Sequence, residues 1–136
     1  MSVKINDATR NRPVGTRLID APAVLVNIED YIDQLKDESA WKKNDRNGIT
    51  VFKTPGLTMV LSAFHKGAEI KDLQLEGLLI LQVIEGEISV KTENDALKVK
   101  KKQILVLHPE SQQTLIAEKD TIILLSALKE SAEKII

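Results

Sequence analysis

The sequence predicts a mainly β domain, a small barrel or sandwich of short strands with one amphipathic helix on its N-terminal side. Three observations predict it. From Ile49 onward, short apolar runs are separated by turn residues, the pattern of an all-β sandwich or barrel. Before that point Ile28, Tyr31, Ile32 and Leu35 recur at i, i+3, i+4 and i+7, an apolar stripe along one face of a helix. Finally, a chain of 136 residues with 43% apolar and only 3% aromatic side chains is one domain, residues 1–136, whose core is built from Leu, Ile, Val and Ala.

In chain order, residues 1–26 read as an arm that turns apolar in RLIDAPAVLVNI. Pro13, Gly15 and Pro22 argue against helix there, and Val24 to Val26 reads as a short strand or extended segment. The helix spans 27–44. Asn27 is placed to cap it, Glu29 and Asp30 suit the positive end of its dipole, and Lys42 and Lys43 suit the negative end. Asn47-Gly48 reads as its stop, and Trp41 as a residue that seats it on the rest of the domain.

The strands then follow as ITVF, LTMVLSAF, LLILQVI, ISV, LKV, QILVL, TLIA and TIILLSAL, a barrel over 47–128. Their breaks are Pro55-Gly56, Lys66-Gly67, Glu76-Gly77, Glu85-Gly86, Glu93-Asn94-Asp95, His108-Pro109 and Glu118-Lys119-Asp120. Ile88/Val90 and Leu97/Val99 alternate with polar residues, so one face of those strands meets water. Leu78–Ile84, Ile104–Leu107 and Ile122–Leu125 are apolar on both faces, so their outer face needs a cover, the helix or a second subunit. A homodimer is the expectation. The end of the chain, SALKESAEKII with its tail 129–136, reads as a short helix.

Composition excludes several functions. A formal charge of −1 gives no basic field for nucleic acid or anionic lipid, and few aromatics remain for base stacking. No cysteine is present, so disulfides, zinc ribbons and thiol catalysis are out. No run approaches the ~20 apolar residues of a membrane span. MSVKINDATRNR lacks the apolar core of a signal peptide. The expectation is a cytoplasmic protein without nucleic-acid or membrane partners.

The order of strands and turns from Asn47 to Leu128 resembles a small single-domain cupin, a double-stranded β-helix or jelly-roll barrel. The family's first motif is a Gly, then His-x-His, an acid three or four residues on, and a Gly seven beyond the acid. Gly67 and the Glu85-Gly86-Glu87 turn match its two ends. The second motif runs through an apolar strand and a Pro-containing turn to a His, and QILVLHPESQQTLIA matches it in shape with Gln113 in the His place.

The ligand positions depart from the pattern. Seven residues before Gly86 stands Leu79, where the resemblance implies the acid. The His-x-His pair falls on Leu73 and Leu75, or on Asp72 and Gln74 with a gap one residue longer. The leucine register is preferred because it keeps an apolar period of two. His-x-His aims two imidazoles to one face of a strand, and the acid and last His complete the ring around one ion. Leu73, Leu75, Leu79 and Gln113 supply no such ring, so no metal and no other cofactor is expected.

Three functional readings follow. The leading one is a metal-free barrel that binds a small apolar ligand, with Leu73, Leu75 and Leu79 lining the pocket and Gln113 as its polar end, or that is purely structural. The second is a metal-independent enzyme of the isomerase or epimerase sort, which needs polar groups in the barrel; Asp72, Gln74, Gln113 and His65 are the candidates. The third is a metal-dependent dioxygenase with atypical ligands. No residue is assigned as catalytic. Ser62, Ser89, Ser111 and Ser126 have no base partner in any motif, and there is no phosphate loop or nucleophile elbow. The Lys98–Lys102 run and the helix carboxylates read as solvated surface.

Overall fold

The computed structural model describes residues 4–6, 17–71, 76–109 and 112–129. An antiparallel pair of strands, β1 (Lys4–Asn6) and β2 (Arg17–Asp20), is followed through residues 21–27 by two helices, α1 (Ile28–Asp37) and α2 (Ser39–Lys43). Nine strands follow: β3 (Arg46–Thr54), β4 (Leu57–Phe64), β5 (Glu69–Lys71), β6 (Leu78–Glu85), β7 (Glu87–Lys91), β8 (Ala96–Lys100), β9 (Ile104–Leu107), β10 (Thr114–Ala117) and β11 (Thr121–Leu128). They form two antiparallel sheets. The large sheet has the order β3-β4-β11-β6-β9 and the small sheet β5-β10-β7-β8. The mainly β, jelly-roll character that the sequence predicts is what the chain adopts.

Two-residue alternation decides which side chains are inside. Leu79, Leu81 and Val83 of β6, Ile123, Leu125 and Ala127 of β11, Ile88 and Val90 of β7, and Leu115 and Ala117 of β10 all point between the sheets and form one cluster. A second cluster lies on the outer side of the large sheet. There Ile49 and Val51 of β3, Leu61 and Ala63 of β4, and Ile122 of β11 meet Ile32 and Leu35 of α1. Burying each such aliphatic side chain contributes ~1.5–3 kcal/mol, less the order it imposes.

The helix begins as its sequence requires: the Asn27 side chain accepts a hydrogen bond from the Asp30 N–H at 3.4 Å. The single helix expected over 27–44 is instead two, because Glu38 is extended (φ −73°, ψ 148°). Asp37 and Glu38 put negative charge at the end of α1, where the dipole disfavours it. The Asn47 side chain then takes over the last turn, donating from Nδ2 to the Leu35 carbonyl and to Glu38 Oε1, both at 2.9 Å. Asn47-Gly48 is therefore not a helix stop but part of β3; the chain leaves α2 at Asn44. Glycine suits that strand position, since a Cβ on Gly48 would crowd Ser62 Oγ at 3.1 Å.

Other expectations shift. Val24–Val26 belongs to no strand, and the strand of this region is β2, with Ile19 fully buried. Strand β5, with two of its three residues exposed, was not foreseen. Ser126, Ala127 and Leu128 end a strand rather than open a helix, and the expected tail helix otherwise lies beyond the described residues. The remaining turns fall where the breaks predict, with an added one at Lys101-Lys102, where Lys102 takes a positive φ of 72°.

Candidate functional site

The barrel interior is where the resemblance places a site, and its two motif ends are well built. Gly67 turns with φ +91°, a backbone that side chains avoid, and its N–H donates to the Ala117 carbonyl at 2.8 Å. That bond, with Ala117 N–H to the Ala68 carbonyl at 2.9 Å, ties the entry to β5 onto β10. At the other end Gly86 has φ +90°, and any Cβ there would collide with the Asp120 carbonyl and Thr121 Oγ1. Thr121 is 1% exposed and fixes this corner through its hydroxyl, which accepts from the Glu87 N–H and has one proton to give to the Lys119 carbonyl at 2.8 Å, with the Glu87 carbonyl at 3.1 Å as the alternative acceptor.

Between these ends the inner surface is aliphatic. Leu79 is 3% exposed and sits opposite Leu107 of β9 and Ala127 of β11. Gln113 is 6% exposed and begins the inward series Gln113, Leu115, Ala117, whose alternate residues Thr114 and Ile116 are half-buried. Ile70 of β5 packs on the same core while Glu69 and Lys71 are exposed. The strand ends just short of Asp72, Leu73, Gln74 and Leu75, which lie outside the described residues. Leu79 and Gln113 are thus the two sequence-predicted site residues whose placement is described in the interior.

His65 is held on the helix side of the molecule. Its ring stacks on Trp41 of α2, centroids 3.5 Å apart and planes at 15°. Its Nε2 lies 2.8 Å from the Trp41 carbonyl, an acceptor, so the proton is on Nε2. Its backbone N–H donates to the Asp45 carbonyl at 2.9 Å. Next to it Arg46 closes on Asp45 at 2.8 Å, reaches the Glu69 carbonyl, and lies over the Phe64 ring at 5.9 Å. The Arg46 hydrogen bond is the main reason the Asp45 carboxyl is held below the usual carboxylate range. No local motif signals the Trp41–His65 stack, because 24 residues separate its members.

A cleft of about 420 Å³ opens between α2 and the start of β3, lined by Glu38, Ser39, Lys43, Asn44 and Asn47 among others. Its buried polar group, the Asn47 amide, is engaged in ending α1, so this hollow is explained by helix packing. On the outer face of the small sheet Ser89 Oγ donates to Glu118 Oε1 at 2.6 Å. A carboxylate without a histidine is a weak base for a serine, and this pair serves to pin β7 to the turn after β10.

A metal of the usual cupin kind would need its acid at position 79 and its last imidazole at position 113. Those places hold a buried leucine and an amide, so the residues present do not fit such an ion. Among the described residues, no three His, Cys, Asp or Glu side chains come together in a way that could hold a metal. Likewise no described helix is long and apolar enough to cross a membrane.

No family model matches the chain, and no curated protein matches it in sequence. Solved structures match it in fold. A cupin superfamily protein from Desulfitobacterium hafniense superposes with a TM-score of 0.60 at 11% identity, covering 64% of this chain and 80% of that one. A conserved protein of unknown function from Streptococcus pyogenes gives 0.61 at 17% identity, covering 84% and 93%. A mutant of salicylate 1,2-dioxygenase from Pseudoaminobacter salicylatoxidans gives 0.65 at 16% identity, covering 84% of this chain and 34% of that one. At these identities the likeness is one of fold: the chain has the fold of the cupins.

Proposed function

We propose that this cupin-fold barrel works without a metal and without catalysis, as a binder of a small apolar molecule or as a structural module. The observation that carries the reading is the identity and burial of Leu79. In the acid's position stands an aliphatic side chain, 3% exposed, inside a cluster of Leu, Ile, Val, Ala and one Phe. A divalent ion stripped of water beside such groups has nothing to replace its hydration, a cost far beyond the stability of a domain. Gln113 supports the ligand half of the reading: a buried amide leading into an aliphatic strand is the kind of polar anchor that apolar pockets commonly carry.

The experiment is native mass spectrometry of the purified chain alongside elemental analysis. The expected outcome is no stoichiometric iron, manganese, nickel or zinc, with either no bound molecule or a small apolar one. Near one metal ion per chain, resistant to mild chelation, overturns the proposal.

A further inference from the structure

The two ends of the sandwich are closed in different ways. At one end four short turns cross from sheet to sheet: β4 to β5 at Lys66-Gly67, β6 to β7 at Gly86, β8 to β9 at Lys101-Lys102 and β10 to β11 at Glu118-Lys119-Asp120. At the other end the crossings among these strands are two, β5 to β6 through residues 72–77 and β9 to β10 through residues 108–113. Gln113 stands at this second end, one residue ahead of β10, and continues the inward parity of Leu115 and Ala117. Strand direction brings Leu79, near the start of β6, Leu107, at the end of β9, and Leu97, near the start of β8, to the same end. Leu97 pairs with Val90 and shares the parity of buried Val99, yet it is 42% exposed, so the aliphatic interior reaches solvent here. Gln113 is 6% exposed, and among the described residues its side-chain amide has no hydrogen-bond partner. No side-chain nitrogen or oxygen among them is both sealed from solvent and unpartnered, so this amide opens on the mouth. The cluster behind it is Leu, Ile, Val, Ala and one Phe, without a charge.

We propose that this mouth selects an uncharged molecule whose apolar body enters between the sheets and whose one polar group both donates and accepts a hydrogen bond, as a carboxamide or lactam does. The proposal rests on the ligand-binding half of the function proposed above and names the class of ligand. The Gln113 amide offers an N–H donor and a carbonyl acceptor side by side. A carboxamide laid against it satisfies both. A carboxylate takes the N–H but turns its own lone pairs on the carbonyl oxygen, and the uncharged cluster gives nothing for the water it loses. A hydrocarbon leaves both groups of the amide unmet. A site that hydrogen-bonds one polar group rejects the analogue lacking it more strongly than an apolar pocket rejects a change of size. The charges at this end set no preference of their own. Lys71 and Lys91 on the small sheet and Glu93 and Asp95 in the turn after β7 are all exposed and of both signs.

The test is amide NMR of the full chain titrated with three probes of one shape, benzamide, benzoate and toluene, at neutral pH, for the native protein and for Gln113→Leu. Benzamide is expected to bind the native chain about tenfold more tightly than toluene, with benzoate weakest, and to shift the backbone signals of Val90, Leu97 and Leu115. In Gln113→Leu, an apolar replacement of similar size in a buried place, benzamide should lose its advantage while toluene still binds. Should that variant not fold, the ranking of the three probes on the native chain decides. Toluene as tight as benzamide, or benzoate tighter than benzamide, overturns the proposal and leaves the apolar-ligand reading standing. A Gln113→Leu chain that keeps the preference for benzamide overturns it as well. No shift with any of the three overturns it together with the ligand-binding half of the proposed function.

Discussion

The two apolar clusters use the same residue types but are closed in different ways. The cluster between the sheets is walled by strands on both sides, and each wall is hydrogen-bonded to its neighbours. The cluster outside the large sheet is walled by strands on one side and by a ten-residue helix on the other, with Val26, Tyr31 and Trp41 at its margin. A helix of that length has little stability of its own. It is held by Ile32, by Leu35 and by one amide, that of Asn47. The lesson is that equal burial does not mean equal rigidity: the helical cover is the part of this molecule that opens at least cost.

The largest expected effect comes from the rigid cluster. Leu79→Ala should lower stability by ~2–5 kcal/mol, toward the upper part of that range, because two sheets cannot close on the void. Chemical denaturation midpoints read it. A loss near zero would place Leu79 against an open pocket, and ligand uptake should then change with the substitution. The same series at Leu73 and Leu75 extends the test to the rest of the motif. Leu35→Ala, equally buried, should cost about 2–3 kcal/mol, the lower part of the same range, since α1 can shift toward the sheet. Equal losses at Leu35 and Leu79 would erase the contrast between the clusters.

Asn47→Ala should cost about 1–3 kcal/mol, by leaving the Leu35 carbonyl without its donor in a buried place. Amide exchange in α1 should accelerate while that in β6 and β11 stays slow; uniform acceleration would show that helix and barrel open as one. The smallest effect belongs to Asp45. Its carboxyl titrates below the ordinary range, so its pairing with Arg46 stabilises the fold above the unfolded-state value of about pH 4 and is lost as pH falls below that. The pair is solvent-exposed, 39% and 53%, so Asp45→Asn should cost less than ~0.5 kcal/mol at neutral pH. A larger loss, read by the same denaturation, would mean that the corner where α2 enters β3 is a rigid part of the fold.

Much of this architecture is legible in the sequence because the signals are local. Pro55-Gly56, Glu85-Gly86 and Glu118-Lys119-Asp120 mark turns by their own backbone chemistry, and the runs between them are strands in the structure. Leu79 is inward by the parity of its strand, and buried Gln113, one residue ahead of β10, continues the parity of Leu115 and Ala117, which a period of two already sets. Strand β5 was hidden because its residues, Glu69-Ile70-Lys71, carry one apolar side chain between two charges and pair only by adding to the edge of β10. The break at Glu38 was hidden because its cause, the Asn47 amide, comes from nine residues away. Asn47-Gly48 has a strong turn signature, yet long-range pairing with Ser62 and Ala63 overrides it.

The stack of Trp41 on His65 has an optical consequence. This is the chain's single tryptophan, so all indole fluorescence arises at the seam where α2 meets the end of β4. An imidazole lying flat against an indole quenches its emission, and a protonated one does so more strongly. Emission should brighten when the helical cover lifts and the rings separate, before the barrel itself gives way. A spectrometer can therefore time the opening of the cover in the native chain, with no label attached.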